Sequence, residues 1–418
     1  MPKLYVEQKG KAISECISCG ICVEGCPFIK FSDLVNEDPV AITADVLNVL
    51  KGELCSELAY KRAFSCVQCG ACVNSCPQGL NVYLLQGILR TELIAQGRHP
   101  MRGRSLRIAD RRYSEIDLLS LLVLKPEERR WVYEVPPNPG HRDIVLYLGC
   151  EPTTHPDQCN TMIDILSGMG INFVTIAGSP RLLCCGAPYQ SRGKPQQADE
   201  MALHLIDTIS SFSPQKLISV CPMCSYRLKN ELDPEINIPF EIEHASQFLA
   251  NNLDKLAFIK KIDKTVTMLN SCKLGRLGGE WEASREILRA IPGIELIETP
   301  LSKEEACCGG ESRYFPQFAD AVQRQTMDRV KETGADFLVS DCSYCHRNYC
   351  AWEKDYPYQS RGLLSLVGEA LGVEYEDLLG RYIRYHDPER VLRESKEVIE
   401  SSPYSIEEMQ QLVPRILP

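Results

Sequence analysis

The sequence lacks long apolar runs. The longest lies near Leu118–Leu124 and contains Ser120, which leaves it far short of the roughly 20 residues that a membrane-spanning helix needs. The N-terminal segment MPKLYVEQKG has neither the apolar stretch of a signal peptide nor a twin-arginine pair. We therefore expect a cytoplasmic protein without a direct membrane span, with any membrane association made through a partner subunit.

Positive charge is also scarce. The 418 residues include 46 Lys and Arg against 56 Asp and Glu, which gives a formal net charge of −10. Nucleic acid is not an expected partner, because binding phosphates requires a basic face. No G-x-G-x-x-G motif follows a predicted strand, and the glycines that begin at Gly275 lack that spacing. We expect no flavin or nicotinamide on the chain, so electrons must come from a partner.

Cysteine, in contrast, is abundant. The chain has 21 cysteines and no export signal. Because the cytosol keeps thiols reduced, a disulfide scaffold is a poor explanation. Metal binding or redox chemistry explains this composition better.

Eight of these cysteines form two C-x2-C-x2-C-x3-C-P runs, which consist of Cys16, Cys19, Cys22 and Cys26, and of Cys66, Cys69, Cys72 and Cys76. Such runs hold [4Fe–4S] cubanes, and in two-cluster ferredoxins the fourth cysteine of each run ligates the other cluster. We therefore predict one cubane on Cys16, Cys19, Cys22 and Cys76, and a second on Cys66, Cys69, Cys72 and Cys26. Zinc or paired disulfides would leave the third and fourth cysteines of each run unexplained.

The order of patterns along the chain predicts an α domain followed by an α/β part. Helical spacing before residue 100 predicts a two-cluster ferredoxin-type domain over 1–100. An arginine-rich stretch that ends in prolines and glycine predicts a linker over 101–140. Beyond it, short apolar runs alternate with helical stretches, which predicts a parallel sheet.

The α/β part is an internal duplication. Four cysteine pairs (150 and 272, 185 and 308, 221 and 342, 224 and 345) are separated by 122, 123, 121 and 121 residues. This agreement predicts two copies of one unit, over 141–260 and 261–385, followed by a helical tail over 386–418.

Each copy carries five cysteines in the order C, then CCG, then C-x2-C. They are Cys150, Cys184, Cys185, Cys221 and Cys224 in the first copy, and Cys272, Cys307, Cys308, Cys342 and Cys345 in the second. Most of them follow predicted strands, so we expect their thiolates to meet at the carboxyl edge of each sheet. Five thiolates exceed the needs of zinc or an ordinary cubane, which favours an unusual cluster. Zinc on four cysteines of one copy remains an alternative.

These motifs resemble those of the heterodisulfide reductase family, in its fused D-type subunit with two cysteine-rich CCG domains. The resemblance implies an oxidoreductase subunit in which electrons pass through two cubanes to two noncubane [4Fe–4S] clusters. It further implies that these clusters reduce a disulfide lying between them, and that the ten cysteines of the duplicated motif are catalytic. The implied partners are a flavoprotein or a membrane cytochrome b or quinone-reactive subunit, and a small-molecule disulfide.

The motifs are also similar to those of a related branch, the iron–sulfur subunits of glycolate, lactate and anaerobic glycerol-3-phosphate dehydrogenases. That resemblance implies a non-catalytic relay between a flavin-dependent dehydrogenase and a quinone or cytochrome. Members of the branch often lose part of the C-x2-C element, whereas both elements are intact here. Intact elements favour the disulfide-reductase type.

A few further residues are candidates with an ordinary structural alternative. Cys55, Cys159 and Cys350 are expected to be packed free thiols, with Cys350 the best alternative ligand because it follows Cys345 closely. His346 can donate a proton to a leaving thiolate or can simply form hydrogen bonds. The guanidinium groups of Arg192 and Arg313, which follow the CCG motifs, can hold an anionic substrate group or lie at the surface.

Overall fold

The structure is a computed structural model, and it describes residues 1–99, 115–125, 140–178, 183–302, 307–309, 316–402 and 405–417. None of the helices described is both long and apolar enough to cross a bilayer. Arg313 and most of the predicted linker lie outside the described residues.

The N-terminal domain is helical, and residues 1–99 contain no strand. A short 3-10 turn covers Ile29–Phe31. The helices, α1 to α6, are Lys3–Glu15, Ile21–Glu24, Pro39–Leu50, Glu57–Phe64, Ala71–Asn74 and Val82–Ala95.

Local sequence explains where the longer helices begin. Asp38 caps α3 by accepting a hydrogen bond from the backbone N–H of Val40, and Pro39 occupies the first helical position. Asn81 caps α6 in the same way through Leu84. Helix α6 is buried over most of its length, so it forms the centre of the domain against which α1, α3 and α4 pack.

The α/β part contains two parallel sheets with the same strand order. The first sheet has the order β2-β1-β3-β4, and the second has β6-β5-β7-β8. The strands, β1 to β8, are Ile144–Gly149, Phe173–Ala177, Lys216–Ser219, Glu241–His244, Lys264–Leu269, Ile294–Leu296, Phe337–Ser340 and Gln359–Gly362. This identical topology is what a duplication produces, and the predicted class of helices with parallel sheets is confirmed.

Helices connect these strands and pack on the sheets. In the first copy they are Pro156–Gly168, Ala187–Gln190, Pro195–Ser210, Pro222–Asn230 and Ala245–Ala250. In the second copy they are Glu282–Ala290, Pro316–Glu332, Ser343–Cys350 and Leu363–Ala370. Shorter turns lie at Glu151–Thr154, Leu253–Lys255, Lys273–Leu277 (a π-helix) and Glu353–Asp355.

The two copies share one hydrophobic core. Helix Pro156–Gly168 of the first copy packs against Leu363–Ala370 of the second, and Ala245–Ala250 packs against Glu282–Ala290. The resulting core contains buried residues of both sheets, such as Leu146 and Val339. Because each copy covers an apolar face of the other, their cysteine-bearing edges are held in a fixed relation.

The C-terminal segment is helical, with Leu378–Tyr385, Pro388–Glu394, Lys396–Glu400 and Ile406–Ile416. Within the predicted linker the structure describes one helix, Glu115–Val123. Its leucines are buried against this C-terminal segment in a separate core. This part of the linker is therefore packed structure, stabilised by an apolar helix face.

Candidate functional site

The first predicted cubane set converges on one cavity of the N-terminal domain. Cys16, Cys19, Cys22 and Cys76 all line it, together with apolar side chains. Cys16 directly follows helix α1, and Cys76 follows the short helix Ala71–Asn74. The fold thus brings a cysteine of the second run to three cysteines of the first. We call this group of four thiols site A.

The second predicted set is more deeply buried. Cys69 and Cys72 are buried, while Cys26 and Cys66 are half-buried. Cys72 lies close enough to the other three for their charges to raise its pKa, in addition to the larger effect of burial. Burial also raises the pKa of the Cys69 thiol to about 12. We call this group site B. Four sulfur donors at each of sites A and B fit a [4Fe–4S] cluster, and a bound cluster would keep the thiols deprotonated.

Arg62 lies between these two groups. Its side chain is buried, it lines the cavity of site A, and its guanidinium donates a hydrogen bond of 3.7 Å to the Cys26 Sγ of site B. Burial is the largest single effect and opposes its positive charge, but the thiolate charges of the surrounding cysteines, led by Cys26 and Cys66, together outweigh burial and raise the pKa of Arg62. A buried cation beside two thiol groups suits clusters that carry negative charge. The sequence analysis missed this residue.

The cysteines of the duplicated motif face a single larger cavity between the two copies. The space among its lining atoms, counted together with the solvent at its opening, is about 1110 Å³. Nine of the ten cysteines line it: Cys150, Cys185, Cys221, Cys224, Cys272, Cys307, Cys308, Cys342 and Cys345. The tenth, Cys184, is buried against Cys185. The carboxyl ends of β1, β3, β5 and β7 position four of these cysteines, as parallel strands do in open α/β sheets.

The second cysteine of each adjacent pair is central to its group. Hydrogen bonds from the thiols of Cys184 and Cys224 hold the pKa of Cys185 well below its ordinary value. In the second copy, hydrogen bonds from Cys307 and Cys345 lower the pKa of Cys308 to about 6, and the Cys345 and Cys308 Sγ atoms are 3.2 Å apart. Both copies therefore gather their thiols around the same position of the motif. Five convergent sulfur donors per copy fit an iron–sulfur cluster.

Site B adjoins the second copy. The pKa of Cys69 is raised mainly by burial and, to a smaller extent, by the charge of Cys272. The charge of Cys69 in turn adds to the raised pKa of Cys307, after larger effects of Cys272, Cys308 and burial. Arg276 donates a hydrogen bond of 3.2 Å to the Cys69 carbonyl, and the ammonium of Lys273 lies 3.4 Å from the Gln68 carbonyl. The π-helix Lys273–Leu277 thus attaches the second copy to the loop of site B.

Lys273 also supplies positive charge to the cavity wall. Its ammonium lies 3.7 Å from the ring centroid of Tyr83 and 5.5 Å from that of Tyr226. Cation–π contacts of this kind hold a buried ammonium without a carboxylate partner. Sequence reasoning did not select Lys273, although its position directly after Cys272 was a usable signal.

Other predicted residues have ordinary surroundings. The Cys55 thiol donates to the Ser56 carbonyl at 3.0 Å, and the Cys159 thiol donates to the Pro152 carbonyl at 3.2 Å. The residues that line the large cavity do not include Arg192. His346 is fully buried, with Nε2 2.9 Å from Asp377 Oδ2 and Nδ1 2.8 Å from Ser360 Oγ. Cys350 lies beside this histidine, with Sγ 3.7 Å from both ring nitrogens.

Family models match the three cysteine-bearing regions. A model described as a 4Fe-4S dicluster domain matches residues 12–80, and a model described as a cysteine-rich domain (CCG) matches residues 144–229 and 266–348. These ranges contain all 18 cysteines of the two motifs.

Two known proteins are similar to most of the chain. The D subunit of the dihydromethanophenazine:CoB–CoM heterodisulfide reductase of Methanosarcina barkeri is 28% identical over 400 residues, which cover 86% of this chain and 94% of the relative. The equivalent protein of Methanosarcina acetivorans is 28% identical over 402 residues, which cover 87% and 95%.

Other similarities are shorter or weaker. The C subunit of the anaerobic glycerol-3-phosphate dehydrogenase of Escherichia coli is 27% identical over 237 residues, which cover 52% of this chain and 57% of the relative. A solved structure, the aspartate racemase of Picrophilus torridus, matches with a TM-score of 0.26 and 13% identity over 57% of this chain and 99% of its own, a likeness that carries no argument.

The predicted resemblance is thus confirmed by domain models and by relatives that match over nearly their full length. The chain is an iron–sulfur electron-transfer subunit with a 4Fe-4S dicluster domain and two cysteine-rich domains, and it resembles the D subunit of the heterodisulfide reductase family.

Proposed function

We propose that this chain is the disulfide-reducing subunit of a redox complex and that a small-molecule disulfide binds in the cavity between its two cysteine-rich copies. The observation that carries the proposal is the convergence of nine cysteines from both copies on that one cavity. A relay protein needs closely spaced electron carriers but no shared cavity. A disulfide has two sulfur atoms that must each be reduced, which suits two thiol-rich groups, one from each copy, that line the same cavity.

The four groups of cysteines have different proposed roles. Sites A and B are proposed to hold two [4Fe–4S] cubanes, and the five cysteines of each copy are proposed to hold one noncubane [4Fe–4S] cluster. Bound clusters supply one-electron transfer. Because Lys273 and Arg276 fix the loop of site B against the second copy, the dicluster domain delivers its electrons to the cysteines of the second copy first.

The cavity walls fit a small organic disulfide. Apolar groups such as Val67, Pro152 and Met223 line it, and Lys273 and Glu151 are its charged lining residues among those described. Glu151 is paired with Arg347 at 3.2 Å, whereas the Lys273 ammonium rests on aromatic rings and a backbone carbonyl. We infer that Lys273 attracts an anionic group of the substrate.

A disulfide-consumption assay tests the proposal. The reconstituted protein, reduced without oxygen and freed of reductant, is mixed with the CoB–CoM heterodisulfide or with glutathione disulfide, and released thiols are counted. We expect two thiols per disulfide consumed, with a large loss in Cys308→Ala. Cys55→Ala is the matched control, because Cys55 lies outside every thiol group, and it should react like the unaltered protein.

The rival function is the relay between a flavin-dependent 2-hydroxyacid or glycerol-3-phosphate dehydrogenase and a quinone or cytochrome, which the similarity to the C subunit of glycerol-3-phosphate dehydrogenase favours. A protein that consumes no disulfide, yet is reduced by such a flavoprotein with its substrate, is a relay. Under either function the partners include a flavoprotein or a membrane cytochrome b or quinone-reactive subunit.

A further inference from the structure

A second group of potential metal ligands lies outside the cysteine motifs, at the junction of the two copies. One ligand atom from each of His155, His346 and Asp377 lies within 4.8 Å of the others. Both histidines are fully buried. His155 follows the first strand of copy one, whereas His346 lies in helix Ser343–Cys350 of copy two, so the group joins both copies.

The outer nitrogens of both histidines already have partners. Nδ1 of His155 is 2.9 Å from Thr154 Oγ1, and Nδ1 of His346 is 2.8 Å from Ser360 Oγ. Metal-binding histidines use one ring nitrogen for such a hydrogen bond, which orients the other toward the ion. Here the remaining atoms are the two Nε2 atoms.

Nε2 of His155 has no hydrogen-bond partner in the part of the chain that the structure describes, although it is buried. Burial also lowers the pKa of His155 to about 3, which keeps its ring neutral. A neutral, buried and unpaired imidazole nitrogen is costly in a protein core, and it is the form in which histidine binds metals.

Cys350 lies beside this group of three donors. Its Sγ is 3.7 Å from the ring nitrogens of His346 and accepts a hydrogen bond of 3.6 Å from Arg384, but it is not one of the ligand atoms that lie within 4.8 Å of one another. Nε2 of His346 lies 2.9 Å from Asp377 Oδ2. In a tetrahedral zinc site, bond lengths of about 2.0–2.1 Å place neighbouring nitrogen and oxygen atoms about 3.3 Å apart. The two Nε2 atoms and the carboxylate are therefore near enough for modest side-chain movements to bring them around one ion.

The charges around the group also suit a divalent cation. Arg384 lies 3.4 Å from Asp377 but is paired more closely with Glu353 at 2.7 Å, and Arg347 is paired with Glu151 at 3.2 Å. The carboxylate of Asp377 would then balance one of the two positive charges of the ion. Asp157, whose carboxyl is also buried nearby, has a pKa raised to about 7 by burial and by Asp377.

We propose that this junction binds one zinc ion through His155, His346 and Asp377. Zinc prefers four donors, so a water molecule would occupy the fourth position. The ion would replace the direct hydrogen bond between His346 and Asp377 and would link a residue of the first copy to a residue of the second.

The test is the zinc content of the full, iron-loaded chain after incubation with zinc sulfate and desalting, combined with X-ray absorption at the zinc edge, where iron does not interfere. We expect about one zinc per chain, surrounded by about four nitrogen or oxygen atoms at about 2.0–2.1 Å and by no sulfur. In the double variant His155→Gln with Asp377→Asn, the zinc content should fall at least about tenfold while the iron content stays unchanged.

His244→Gln is the matched control. His244 is also a buried histidine, but both of its ring nitrogens have partners, Ser246 Oγ at 2.8 Å and the Val220 carbonyl at 3.2 Å. Its substitution should leave the zinc content unchanged. A chain that retains less than about a tenth of a zinc ion, or zinc surrounded by sulfur alone, would overturn the proposal. The spectrum of the unaltered protein decides this even where a variant fails to fold.

Discussion

Arg62 carries a positive charge into the interior of the dicluster domain, where an unpaired charge is strongly unfavourable. In the structure its guanidinium reaches the thiol of Cys26 and also lines the cavity of site A. An iron–sulfur cluster gains a negative charge on reduction, so a nearby cation stabilises the reduced form. This position makes Arg62 the residue that we expect to adjust the reduction potentials of both cubanes.

The first prediction concerns this charge. Arg62→Met should lower both cubane potentials by several tens of millivolts, because about 59 mV corresponds to 1.4 kcal/mol for one electron. Arg62→Lys, which keeps the charge, should recover much of the shift. The potentials are read from a redox titration followed by electron paramagnetic resonance.

Arg98→Met is the control for this experiment, since Arg98 belongs to the same domain but is exposed and paired with Glu57 at 3.2 Å. It should leave both potentials in place. Equal potentials in the Arg62→Met and unaltered proteins would remove the proposed role of Arg62.

The second prediction concerns the exchange of the fourth cysteines between the two runs. If site A is one cluster site, Cys16→Ala combined with Cys76→Ala should lose about four irons, whereas Cys16→Ala combined with Cys26→Ala should lose about eight. Iron analysis after reconstitution distinguishes them. The opposite order of losses would mean that each run holds its own cluster.

At the scale of elements, the loop of the adjacent cysteine pair depends on a glycine. Gly186 has φ of 84°, a conformation that side chains other than glycine rarely adopt, and a Cβ atom there would lie 2.0 Å from the Ala198 carbonyl oxygen. Gly309 occupies the same position in the second copy with φ of 71°. The G of the CCG motif is therefore required by backbone geometry.

The third prediction follows from this geometry. Gly186→Ala should destabilise the first copy by roughly 2 kcal/mol or more, because backbone strain and a steric clash add together. Thermal unfolding followed by circular dichroism should show a lower midpoint. Gly168→Ala is the control, because Gly168 ends a helix and has open space where a Cβ atom would lie, so its midpoint should stay or rise. Equal midpoints for both variants would contradict the expected strain.

Much of the secondary structure could be predicted because its signals are local. The short apolar runs Ile144–Leu148, Phe173–Ile176 and Phe337–Ser340 are visible in the sequence itself, and each of them lies within a strand of the structure. Helix Glu115–Val123 was not recognised within the predicted linker, because its apolar face is complementary to helices near the C-terminus, almost 300 residues away in sequence. Pairing between such distant segments leaves no local pattern.

At the scale of the whole molecule, the cysteine motifs predicted the candidate sites, but not how they meet. Motif spacing indicated which thiols belong to each copy, whereas the common cavity depends on the shared core of both copies. The sequence did not single out His155 or Asp377 either, and the reason is the same. They are more than 200 residues apart in sequence and become neighbours only when the copies pack.

The iron and sulfide content of the reconstituted chain tests the central claim, that both cysteine-rich copies hold four-iron clusters beside one cavity. With two cubanes and two noncubane clusters, the account predicts about sixteen irons and sixteen sulfides per chain. About eight irons would contradict it, because the dicluster domain alone would then be loaded. About twelve irons, with zinc surrounded only by sulfur, would show that one copy holds zinc in place of a cluster.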